Sequence, residues 1–196
     1  MKTVLAVLLL LIVSAPAPAA PDRPTKEEVE KALSSAVAFF RTKVAVAGGY
    51  VWQVSADLGK REGEGRVGPR EVWVQPPGTP TVGEAYLHAW RLTGDEACLL
   101  AAREVGTALR HGQLRSGGWG YAIQFDRSLR ASLPYRVAGS ERGTGLTVLD
   151  DDTTQSALRF LMRLDRALEF KDSDVHGTAL HALKALVQAQ YPNGAW

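Results

Sequence analysis

Apolar residues recur at helical spacing in five stretches of the chain. In the first, Val29, Leu33, Ala36, Phe40 and Val44 follow one another at intervals of 4, 3, 4 and 4, a single stripe along one helix face. Thr25 precedes it with Glu28 three residues on, the signature of a reciprocal cap, and Gly48-Gly49 ends it. A second helix is expected from near Thr81, with Glu84 as its reciprocal cap, to Gly94. The third opens at Asp95 and carries Cys98, Ala102, Val105 and Leu109 on one face. A fourth runs from about Asp151 to Phe170, and a fifth from about Asp172 to Gln190.

Two long polar segments separate these helices, "VWQVSADLGKREGEGRVGPREVWVQPPGTP" and "YAIQFDRSLRASLPYRVAGSERGTGL". Loops of such length in a compact domain usually build a binding surface. Both could carry short strands, as the alternation in "REVWVQ" suggests, but no sheet is expected.

The helical pattern repeats. At a shift of 77 residues, Asp95 coincides with Asp172, Ala102 with Ala179, Leu109 with Leu186, Gln113 with Gln190, Gly117 with Gly194 and Trp119 with Trp196. Both copies end in Q-x-x-x-G-x-W, as "QLRSGGW" and "QYPNGAW", and "GGYVW" at 48–52 reads as a degenerate first copy. The unit is thus a helical hairpin closed by a glycine turn and a tryptophan. Such a unit cannot bury its apolar face alone and stacks on neighbours. The expected class is all-α, an α/α toroid of helical hairpins with long loops. The turn tryptophans are expected to clamp the hairpin ends. Sugar stacking by Trp52, Trp73 or Trp90 stays open, although large aromatics most often pack.

Residues 1–20, "MKTVLAVLLLLIVSAPAPAA", combine Lys2, an apolar run from Val4 to Val13 and the small-x-small site Ala17-Pro18-Ala19. That is the pattern of a cleaved export signal, too short to span a bilayer. A secreted or periplasmic product is expected, with residues 21–196 as one domain and no membrane attachment after cleavage. The formal net charge of +2, lowered to about +1 without Lys2, demands no nucleic-acid partner. The lone Cys98 excludes an internal disulfide framework and reads as a small buried hydrophobe.

Candidate chemistry centres on "VLDDDTTQSALRFLMRL" at 148–164, where Asp150, Asp151 and Asp152 stand together before a helix. Capping of that helix is one reading, worth about 0.5–2 kcal/mol for a well-placed carboxylate. Arg127, Arg130, Arg136 and Arg142 punctuate the preceding loop and could bind carboxylates in bidentate fashion. Ordinary solvated loop charges are an equal alternative for each of them. Arg159 suits a local ion pair. His176 and His181 are five apart, which diverges around a helix instead of pairing on one face as a zinc site needs. No Ser/His/Asp set, phosphate-binding glycine loop or nucleic-acid patch stands out.

The Q-x-x-x-G-x-W repeats resemble those of triterpene cyclases, but Leu149 stands where their acidic motif needs its first aspartate, and the chain is far shorter. "DDDTTQSALRFL" and "QYPNGAW" together resemble the pectic acid lyases, polysaccharide lyase family 10, over roughly residue 36 to the end. "PPGTPTVGEAYLHAWRLTGD" and "GQLRSGGWGY" are similar in style. The resemblance implies an α/α toroid, a monomer, that cleaves polygalacturonate by calcium-assisted β-elimination. Asp150 and Asp151 are then the expected calcium ligands, Asp152 a helix cap, and the four arginines substrate contacts. Calcium takes six to eight oxygens, and neutralising the sugar carboxylate makes the adjacent proton removable. The catalytic base is expected beyond Trp196, which makes the chain the N-terminal part of a longer domain that could be inactive as it stands. Two other readings remain, a silent polysaccharide-binding toroid and a structural toroid without a sugar ligand.

Overall fold

The computed structural model describes residues 23–196; the export signal expected at 1–20 lies outside the described residues. Five long helices dominate: α1 (Lys26–Phe39), α2 (Thr79–Thr93), α3 (Glu96–Gly112), α5 (Thr153–Ala167) and α6 (Ser173–Ala189). A single turn, α4 (Arg127–Arg130), interrupts the second long loop. Among the described residues no helix is long and apolar enough to cross a membrane.

The helix starts follow the side chains available to cap them. Thr25 accepts from Glu28 N at 3.2 Å while Glu28 Oε2 accepts from Thr25 N at 2.8 Å, the expected reciprocal cap. Asp95 accepts from Ala97 N, and Asp172 from Asp174 and Val175 N, each satisfying amides a helix start leaves orphaned. The second helix departs from expectation. It begins at Thr79, behind Gly78, with Pro80 in its first turn and no side-chain cap. Glu84 instead pairs with Arg163 of α5 at 2.8 Å. Thr79 is buried and spends its hydroxyl on Tyr50, accepting its N–H and donating to its carbonyl.

The α1 stripe also shifts. Residues Phe40–Val44 form a π-turn, whose wider winding rotates the face that follows it. Val37 and Val44 are buried, whereas Val29 and Phe40 are 51% and 43% exposed. A bidentate pair between Arg41 and Glu104, both contacts at 2.7 Å, fixes this end of α1 to α3.

α2 and α3 form one hairpin, α5 and α6 the next, with α2 against α5 and α3 against both α5 and α6. Trp119, Phe160, Leu109, Ile123, Leu161 and Leu164 are fully buried between them, as is Cys98. Burial pushes the Cys98 thiol up, as expected of a packing residue. Gly83 lets α2 approach α5, since a Cβ there would stand 2.5 Å from the Phe160 ring.

The repeat is realised bond for bond. Trp119 Nε1 donates to Leu109 O at 2.8 Å and Trp196 Nε1 to Leu186 O at 2.9 Å. Gln113 Nε2 donates to Gly117 O at 2.9 Å and Gln190 Nε2 to Gly194 O at 2.8 Å. Gly117 and Gly194 both have positive φ, 100° and 85°, where a Cβ is strained. "GGYVW" does not join the series: Trp52 Nε1 donates forward, to Gln75 O at 2.8 Å.

The long loops carry two antiparallel pairs that were not expected from sequence: β1 (Gln53–Val54) with β2 (Arg61–Glu62), and β3 (Glu71–Trp73) with β4 (Ala122–Gln124). The second pair joins the two loops, with Glu71 opposite Gln124 and Trp73 opposite Ala122.

The two turn tryptophans differ in burial, 0% for Trp119 and 60% for Trp196. Trp119→Ala should therefore cost about 3–5 kcal/mol and Trp196→Ala no more than about 1 kcal/mol. Urea unfolding of the two variants measures the difference.

Candidate functional site

The β3–β4 pair places the end of one loop beside the start of the other. Val72 and Val74 face the core, fully buried, so the alternation of "REVWVQ" puts Trp73 and Gln75 on the opposite face. Val74 N donates to Tyr121 O at 2.7 Å, which brings Tyr121 alongside Gln75. The acidic turn is hung from the repeat turn. Val148 N donates to Trp119 O at 2.9 Å, and Thr154 Oγ1 accepts from Trp119 N at 3.1 Å.

Asp150–Asp152 form a 3-10 turn leading into α5. Asp151 and Asp152 both adopt left-handed backbone angles, φ 49° and 60°. Aspartate tolerates that region better than most residues, yet two in succession hold strain that the surroundings must compensate. Gln75 Nε2 donates to Asp151 Oδ2 at 2.9 Å. Arg159 grips Asp152 with both terminal nitrogens, one at 2.9 Å, the local pair expected of Arg159. Asp152 thus occupies the position before α5 without a capping hydrogen bond, because its carboxylate is committed to the arginine.

Gln75, only 5% exposed, is the hub. Its Oε1 accepts from Trp73 Nε1 at 3.1 Å, and its Nε2 also reaches Glu64 Oε1 at 3.4 Å. Tyr121 OH donates to Asp150 Oδ2 at 3.4 Å. Its hydroxyl is held above the usual tyrosine range, first by burial and then by the negative charges of Asp150, Asp151 and Glu64. Three carboxylates therefore converge on one glutamine and one tyrosine, and among the described residues no lysine or arginine pairs with Glu64, Asp150 or Asp151.

Neither Glu64 nor Gln75 was singled out from the sequence. Gln75 had a signal, the alternation that sets it on the Trp73 face. Glu64 had none, since an exposed charge in a glycine-rich loop acquires meaning only when the chain folds back.

The four loop arginines are not brought to this cluster. Arg127 and Arg142 are exposed. Arg130 is a structural residue and not a free substrate contact. It is 6% exposed, donates to the carbonyls of Gln124, His111 and Val137, and stacks on Tyr135 with 4.4 Å to the ring centroid. Arg136 reaches Thr178 Oγ1 of α6 at 3.3 Å, near the C-terminal end of α3. His176 Nδ1 meets the buried Asp165 at 2.8 Å, a contact between α5 and α6.

Calcium is tested by donor chemistry. Carboxylate oxygens are the hard donors it prefers, but six to eight oxygens are needed. Among the described residues no group of three or more His, Cys, Asp or Glu is arranged to hold a metal ion. Asp150 and Asp151 suit calcium in kind and fall short in number, so a ligand would have to contribute oxygens.

No family model matches the chain, nor does any curated protein or solved structure.

Two outcomes follow from this geometry. Asp150→Asn should lower the Tyr121 pKa toward its ordinary value, because it removes a neighbouring negative charge that opposes the phenolate; ultraviolet titration reads the shift. Gln75→Leu should destabilise the protein by about 1–3 kcal/mol, since Trp73 Nε1 loses its acceptor. Thermal unfolding detects that loss.

Proposed function

We propose that the chain is an exported, pectate lyase-like α/α toroid protein that engages polygalacturonate through calcium held at Asp150 and Asp151. The observation that carries this reading is the convergence of Glu64, Asp150 and Asp151 on Gln75 and Tyr121 without a cationic partner among the described residues. Like charges repel, and gathering them at an exposed turn with two left-handed residues suits a cation that arrives with its ligand.

Asp150 and Asp151 would hold calcium, and the cation would supply charge neutralisation of a uronate carboxylate, which makes the neighbouring proton more acidic. Gln75 holds Asp151 in place, Arg159 fixes Asp152, and Tyr121 offers a hydrogen-bond donor beside Asp150. The stacked hairpins and their bond-for-bond repeat support the toroid, and the sequence of residues 1–20 supports export; the monomer follows from the resemblance.

The cluster itself offers carboxylates, an amide and a phenol, a donor set that suits holding a cation and its ligand. This favours, as a second reading, calcium-dependent binding of the polysaccharide without cleavage. A nucleic-acid partner has no support in either.

Equilibrium binding of polygalacturonate with calcium or a chelator separates the outcomes. Calcium should strengthen binding, and Asp150→Asn with Asp151→Asn should weaken it about tenfold or more, as loss of charged ligands does. Release of unsaturated uronides would show cleavage, and binding without release would show the second reading. Calcium-independent behaviour identical in the double variant would overturn both.

A further inference from the structure

Midway along the second loop, positive charge gathers without a matching set of carboxylates. Arg136 is carried there by its backbone, whose N–H donates to Gln113 O at 2.8 Å, and its Nη2 donates to Thr178 Oγ1. Asp174, Thr178 and His181 follow one face of α6 at helical spacing, and Arg110 comes from the last turn of α3. Arg110 pairs with Asp174 at 3.0 Å. Among the described residues Arg136 has no carboxylate partner within ion-pair distance. Its Nε and His181 Nε2 are both buried without a hydrogen bond.

The groups act on one another. Arg136 is held below the ordinary arginine range by burial and then by Arg110, with Asp174 opposing. His181 is also pushed down, by burial, then by Arg136 and Lys184, while the Arg115 carbonyl pulls it up. The C-terminal carbonyls of α3, which would repel an anion, are occupied: His111 O by Arg130, Gln113 O by Arg136 N and Arg110 O by Gln113 N.

We propose that Arg136, with Arg110, His181 and Lys184 around it, forms a binding site for a small oxyanion, a carboxylate or phosphate-type group. The guanidinium presents a planar fork suited to such a group, and the oxyanion would supply the acceptor that Arg136 Nε lacks; its charge would also favour protonation of His181, whose Nε2 could then donate to it. The site is distinct from the acidic cluster and does not depend on the lyase reading. From the sequence His181 was weighed only as a zinc partner for His176, and Arg110 was not singled out.

The test follows the His181 ring by NMR while the protein is titrated with inorganic phosphate, galacturonate or neutral galactose. Phosphate, galacturonate or both should move the ring resonances, and galactose should not. A response to phosphate alone identifies the phosphate-type source; a response to galacturonate identifies the carboxylate. Arg136→Gln should weaken binding about tenfold. Asp174→Asn removes the one facing carboxylate and should tighten binding about two- to fivefold, a gain that a structural role for Asp174 would not produce. Asp150→Asn should leave this binding unchanged, which keeps it separable from the calcium site. The proposal is overturned if neither anion moves the His181 ring, or if binding is the same with Arg136→Gln and Asp174→Asn.

Discussion

The contact on which the rest depends is the one at Trp119. Its indole N–H closes the α2–α3 hairpin on the Leu109 carbonyl, and its ring is fully buried. Its backbone then serves the next segment, accepting from Val148 N and donating to Thr154 Oγ1. One residue therefore completes a helical unit and positions the acidic turn before α5. Gln113 adds a second link, since its Nε2 bonds both Gly117 O in its own turn and Thr178 O on α6. The same turn thus reaches the acidic cluster on one side and the arginine-rich end of α3 on the other.

Stability and function divide along that line. The buried side of the turn is satisfied and close-packed, and removing a large aromatic from such a place costs several kcal/mol. The exposed side carries what folding alone does not require: left-handed Asp151 and Asp152, and carboxylates that share Gln75 and Tyr121 as partners. Exposed ion pairs such as Arg159–Asp152 contribute little by themselves. The acidic turn is kept in place mainly by the buried residues beneath it, with Gln75 as the buried polar group that meets it.

Much of the helical framework was legible in the sequence. Thr25 with Glu28, Asp95 and Asp172 cap where their side chains suggested, because capping is local and depends on a few residues. The 77-residue repeat survived as matching hydrogen bonds from Gln113 and Gln190, and from Trp119 and Trp196. Less was legible where distant segments decide. Glu84 has the spacing of a cap but lies within reach of Arg163, and a charged partner on another helix prevailed. The π-turn at Phe40–Val44 moved the α1 stripe because periodicity reads an ideal helix. Arg130 looked like a free loop cation, and its burial against Tyr135 depends on how the loop closes. Of the acidic site, Asp150 and Asp151 were visible as neighbours in sequence, whereas Glu64 and Gln75 arrive through the β3–β4 pairing.

The coupling between the hairpin turn and the acidic site is tested most directly by amide hydrogen exchange in Thr154→Val. The substitution keeps the volume of a buried side chain while removing the hydroxyl that meets Trp119 N and O at 3.1 and 3.3 Å. Exchange should quicken at Trp119, Val148 and Asp151 while the middles of α2 and α3 keep their protection. Unchanged exchange at Val148 and Asp151 would contradict the account, because the acidic turn would then be held by something other than the tryptophan turn.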